Sequence, residues 1–195
     1  MAKRNSDLLA QEIKLYLESY IETHGTPERI VIHYYKKMSR EELEPINEMV
    51  YSLGFGDIPI IIITINKTMS KDYIVFDQDA PDDLIPFSGT IINYGKDQYL
   101  LFNNTRYEGV ESKIESYHLP LKLSISSNKP AAIKDVALKK ELIDQIYQFS
   151  RMYWKSVKQQ NLPVTIKYPE MVAEIFPYFG IEELMPFGRT NLWFL

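Results

Sequence analysis

Arg151, Lys155 and Lys158 recur at four- and three-residue spacing, which sets three cations along one side of a helix. About half a turn away, Leu142, Ile146, Phe149, Tyr153 and Val157 form an apolar stripe, so the spacing predicts one helix running on to Val157 with a face for burial. The basic face is either a solvated surface or a site for an anion. Beyond it, Leu162-Pro-Val-Thr165 reads as an extended segment leading to Lys167, and a second short helix follows with its first turn set by Pro169. Asn161 offers an amide donor near the chain turn between them. Lys67, in Asn66-Lys67-Thr68, stands just past the carboxyl end of an apolar strand, where open α/β sheets take their ligands. A lysine ammonium is a mobile point charge adequate for phosphate, so the chemistry on offer is recognition of an anion.

Groups that could break bonds are harder to assemble. His33 lies in an apolar strand and reads as a core histidine. Glu41, Glu42 and Glu44 fit the first turns of a helix, where negative charge favours the dipole. Asp77, Asp79, Asp82 and Asp83 lack the spacing and the turn glycine of a calcium loop and read as a solvated loop. The sequence yields no Ser-His-Asp or Cys-His arrangement and no phosphate-cradling Gly-rich loop.

Composition narrows the partners. At 195 residues with 45% hydrophobic and 25% charged, the chain can bury a sizeable core. A net charge of -4 excludes binding of nucleic acid by general basic character, so any such site must be a local patch. The absence of cysteine removes disulfides and thiolate metal sites and suits a reducing compartment; a cytoplasmic location is expected, with no membrane span.

The positioning elements follow from periodicity. Ser6 or Asp7 can cap a helix over about 7–23, stopped at His24-Gly25. Ile30 to Tyr35 reads as a strand buried on both faces, and Ser39 with Glu42 makes a capping box for a helix ending at Gly54. A strand at Ile58 to Ile65 completes a parallel strand-helix-strand unit. Further strands are expected at Asp72 to Phe76, at Gly89 to Tyr94 turning through Gly95-Lys-Asp into Gln98 to Phe102, and at Leu119 to Ile125.

The order of elements from Ile146 to Ala173, with Tyr147-Gln148, Tyr153, Lys155, Pro163, Tyr168 and Ala173 in matching places, resembles the end of the PIWI domain of Argonaute proteins. Upstream, Arg29-Ile-Val-Ile-His-Tyr-Tyr-Lys36 before Met38-Ser-Arg-Glu-Glu42 is similar to that family's apolar strand and Glu-rich helix, and Ile60 to Thr68 to its next buried strand. The likeness runs from about Thr26 to Leu195 and is nearest to short prokaryotic Argonaute proteins. It implies an α/β chain: the C-terminal part of an RNase H-like PIWI fold, a mixed sheet flanked by helices. Residues 1–195 then form a single partial PIWI domain with a leading helix at 1–25, a strand-helix-strand unit at 26–70, hairpin and strands at 71–128, and C-terminal helices and tail at 129–195. The family's first strands would precede this segment, which leaves an unpaired sheet edge to be completed by the remainder of an Argonaute-like protein or by a partner chain.

The resemblance also assigns roles. It places Tyr35 where a metal-binding aspartate belongs, puts the first aspartate outside the chain, and lets the last ligand fall on Glu170. A phenol is a poor Mg²⁺ ligand at neutral pH, so the domain is expected not to be an enzyme. Contacts to the 5′ region of a guide strand fall on Lys155, Asn161 and Lys167, with Arg151 and Lys158 beside them and Lys67 in a basic loop. The carboxylate of Leu195 would help hold Mg²⁺ at the guide 5′ phosphate, unless Trp193 and Phe194 simply plug the core. Guide and target nucleic acid are the implied partners, in prokaryotic defence beside an associated effector protein. The alternatives are a protein-interaction scaffold that binds no nucleic acid, and a nuclease completed by a partner's ligands together with Glu170.

Overall fold

Ile60 to Ile65 carries apolar or β-branched side chains at every position, which suits a strand covered on both faces. In the computed structural model, which describes residues 2–67, 75–79, 84–103, 119–153 and 162–178, this run is β2 (Ile60–Lys67), buried through Ile65. β1 (Ile30–Tyr34) pairs with it in parallel, Ile30 opposite Ile60 and Tyr34 opposite Thr64. Between them runs α2 (Arg40–Ser52), started by the expected capping box: Glu42 N donates to Ser39 Oγ at 3.2 Å, and Ser39 N donates to Glu42 Oε2 at 2.8 Å. β3 (Thr90–Gly95) and β4 (Gln98–Phe102) form the hairpin, turned at Lys96 and Asp97, and β5 (Leu121–Ser127) is the last strand among the described residues. The five strands hydrogen-bond in the order β1-β2-β5-β4-β3, a mixed sheet with flanking helices, as expected.

The chain divides into two compact units, one of Met1–Asn66, Gly95–Gln98 and Leu123–Lys140 and one of Lys67–Tyr94, Tyr99–Lys122 and Glu141–Leu195. In the first, α1 (Ala2–His24) lays Ala10 and Leu17 against Ile46, Met49 and Val50 of α2 and against Ile60 and Ile62 of β2. α1 begins five residues before the expected start at 7, and stops where Gly25 takes φ 83 and its N–H reaches Ile21 O at 3.0 Å. In the second, Tyr99 to Phe102 of β4 are buried, as are Leu142, Ile143 and Ile146 of α3 (Val136–Phe149). α4 (Val164–Ile175) follows.

Several expectations are corrected. β1 is half-buried along its whole length rather than covered on both faces, because it is the outermost strand of the order. α3 stops at Phe149 instead of continuing to Val157. There Ser150 Oγ donates to Tyr147 O at 2.6 Å, and Arg151 N reaches Gln148 O at 2.9 Å, so the helical ladder tightens and ends. Arg151 therefore sits in a turn beyond the helix. The segment read as extended after Leu162 is helical from Val164, because Ile166 N and Lys167 N both donate to Pro163 O, at 2.9 and 2.8 Å. Pro169 consequently lies inside α4 and does not open it. Val75 and Phe76 carry no strand, and Asp72 to Ile74 lie outside the described residues.

Candidate nucleic-acid interface

In the second unit, Lys67 closes β2, and Lys167 and Glu170 lie three residues apart on one side of α4. Lys167 Nζ donates to Glu170 Oε2 at 3.0 Å, and Lys67 Nζ stands 3.9 Å from Glu170 Oε1. One carboxylate thus holds two ammonium groups drawn from distant parts of the chain, leaving one net positive charge. All three side chains keep partial exposure, so the pair stays open to an anion from solvent. The same arrangement counts against Glu170 as a metal ligand, since both of its oxygens already face cations.

Arg151 lies in the same unit. Its guanidinium stands 5.8 Å from the centre of the Tyr147 ring, and that ring packs beside Gly89, which takes a φ of 96. Tyr153 and Tyr168 meet at 6.2 Å between ring centres in a tilted pair, which ties the turn after α3 to α4. Of the six expected nucleic-acid contacts, Lys67 and Lys167 are brought together and Arg151 is placed on a ring. Lys155, Lys158 and Asn161 lie outside the described residues, as do Leu195 with Trp193 and Phe194. Among the described residues, no group of His, Asp and Glu is arranged to hold a metal ion.

The first unit carries a second polar cluster, at the carboxyl end of β1. Tyr34 Oη donates to Glu42 Oε1 at 2.9 Å, and Lys36 Nζ stands 2.9 Å from the same oxygen. Lys36 Nζ also lies 5.9 Å from the centre of the Tyr34 ring and 5.7 Å from that of Tyr35. Thr64 Oγ1 donates to Lys36 O at 3.4 Å and so fixes the chain as it leaves the strand. The Ser39 N–H and the Lys36 ammonium hold the Glu42 carboxyl down at about 2, while burial and Glu42 push the Tyr34 phenol above its ordinary value. Burial pushes the imidazole of His33, half-buried like the rest of β1, down to about 4, which favours its neutral form.

Sequence reasoning found the capping role of Glu42 but not its hold on Tyr34 and Lys36, because a contact from strand to helix follows no helical spacing. It missed the contact of Lys67 with Glu170 for the same reason.

The family model described as Piwi domain matches residues 2–179. A "Piwi protein" of Archaeoglobus fulgidus is 32% identical over 169 residues, covering 82% of this chain and 38% of its own length. The chain therefore spans well under half of that relative. Among solved structures, Marinitoga piezophila Argonaute in complex with a 5′ OH guide RNA matches with a TM-score of 0.57 at 21% identity, over 89% of this chain and 23% of that one. The same Argonaute with guide RNA and target DNA gives 0.55 at 20% identity, over 87% and 22%. Aa-Ago with externally bound siRNA gives 0.52 at 17% identity, over 91% and 22%.

Proposed function

The chain belongs to the Piwi domain family, and from that premise we propose that it binds guide and target nucleic acid without cutting it, holding the 5′ region of the guide by its phosphates. The observation that carries this reading is the gathering of Lys67 and Lys167 on Glu170, a local cationic site in a chain whose net charge is -4. Two ammonium groups on separate elements, held at a fixed spacing, are suited to adjacent phosphate oxygens along a backbone. Arg151, in the turn after α3, adds a further cation within the same unit.

Loss of cleavage rests on Tyr35, where the family resemblance places a carboxylate, and on the engagement of Glu170 by lysines. Prokaryotic defence, in the cytoplasm and beside an effector protein, is the setting this reading implies.

The reading is tested on the protein as its organism makes it, by recovering bound nucleic acid and sequencing it. A short species of uniform length with a 5′ phosphate supports a guide; protein recovered free of nucleic acid, and unable to take up added single strands, overturns it.

A second reading, a protein-interaction scaffold, is favoured by α1, which exposes Leu8, Leu15, Tyr16 and Tyr20 on a helix whose other side is in the core. It predicts protein partners retained after nuclease treatment.

A further inference from the structure

Tyr35 is 59% exposed, yet its ring is not left to rotate freely. The Tyr34 ring meets it at 5.1 Å between centres with a tilt of 54°, and the Lys36 ammonium stands 5.7 Å from its centre. Lys36 is in turn anchored at 2.9 Å on Glu42, which the capping box fixes to the first turn of α2. Three residues therefore brace one solvent-facing aromatic ring. Bracing of this kind adds little to a fold when the ring itself remains in water. It reduces the ordering cost when something else covers that ring.

The surrounding charge decides what that something is. An ammonium beside the ring repels a divalent cation and strengthens attraction for a polarisable, electron-rich face. Lys37 follows directly, exposed, with no carboxylate partner among the described residues. An exposed aromatic ring with lysines close by in the chain is the pairing by which single-stranded nucleic acid is held, the ring under a base and a lysine on the backbone. The cluster lies at the carboxyl end of a parallel strand, the end at which α/β sheets take ligands.

We propose that Tyr35, braced by Tyr34, Lys36 and Glu42, is a stacking platform for one unpaired base of a bound single strand, with Lys37 meeting the adjoining phosphate. This rests on the nucleic-acid reading above and adds to it a site of different chemistry, in which an aromatic face takes the place of a metal-binding carboxylate. Base identity matters little to such a platform, since every base has a π-face.

The experiment uses the whole protein and a set of single strands, each carrying 2-aminopurine at one position. Stacking quenches the fluorescence at a single position along the strand. Tyr35→Ala removes that quenching and weakens binding about tenfold, while Tyr35→Phe and Tyr35→Trp retain both. Because Tyr35 is exposed, the thermal midpoint of Tyr35→Ala stays at that of the unsubstituted protein, which separates loss of stacking from loss of fold. Tyr35→Ala that binds and quenches as before overturns the platform while leaving nucleic-acid binding intact. Equal losses in Tyr35→Ala and Tyr35→Phe also overturn it, since they would assign the role to the hydroxyl. An unsubstituted protein that binds none of the strands overturns the proposed function, and the platform with it.

Discussion

Glu170 accepts Lys167 Nζ at 3.0 Å from three residues back on α4, and its second oxygen faces Lys67 Nζ at 3.9 Å. The carboxylate that family resemblance places at a metal position is thus an internal counterion. Partly exposed ion pairs contribute at most about 1 kcal/mol to a fold, so the arrangement matters more for what the lysines can bind than for stability.

If Glu170 restrains the lysines, Glu170→Gln raises the local charge by one while keeping the shape. Single-strand affinity then increases several-fold at low salt, and the gain disappears as salt screens it. Fluorescence anisotropy at low and high salt reads this directly. A drop in affinity would mean that the carboxylate itself supports the bound strand.

Cleavage supplies a second prediction. With a phenol at position 35 and Glu170 occupied, the protein leaves single- and double-stranded nucleic acid uncut in Mg²⁺ or Mn²⁺. Metal-dependent cutting that Glu170→Ala abolishes would overturn the non-cleaving reading and restore Glu170 as a ligand.

A third concerns counterion release. Lys67→Glu with Lys167→Glu weakens binding and flattens the slope of log K against log salt by up to about 0.7 per lost single-strand contact. The double variant therefore changes the slope by about 1.4. A merely solvated pair leaves the slope unchanged, and so does a protein-only scaffold.

The strands of the sheet and the first helices were legible because their signals are local, whereas the strand expected at Asp72 to Phe76 was not found at Val75 and Phe76. Four consecutive isoleucines at 60–63 admit little but a covered strand, and Ser39 with Glu42 fixes a helix start by chemistry within one turn. The end of α3 was not legible: the apolar period continues past Phe149 through Tyr153, and only the Ser150 side chain, bonding back to Tyr147 O, shows where the helix gives way. Pro169 misled in the same manner. A proline usually marks a first turn, but here Pro163 had already oriented the chain and α4 carries the second proline in its interior. For the site, residue type pointed to Lys67 and Lys167 singly, while their meeting on Glu170 depends on which elements the fold brings together.

The last prediction follows from two groups whose acidities are shifted in the same sense. His33 is pushed down from 6.5 to about 4 by burial, so its neutral form is favoured by the fold. The stability it contributes is complete above pH 6.5 and is lost as pH falls towards 4. Glu42 is held down from 4.5 to about 2, first by the Ser39 N–H and then by Lys36, so its contribution is complete above pH 4.5 and is lost as pH falls towards 2. Urea midpoints measured from pH 7 downwards should therefore fall over two adjoining ranges. His33→Phe keeps the strand position filled and removes the upper fall, leaving the lower one. Glu42→Gln removes the lower fall but starts from reduced stability at pH 7, because the ion pair with Lys36 goes with the charge while the amide oxygen still closes the capping box. A partly exposed ion pair is worth up to about 1 kcal/mol, which sets the scale of that initial loss. An unchanged upper range in His33→Phe would show that the imidazole is solvated and ionises freely, and that the end of β1 is more open than its packing implies.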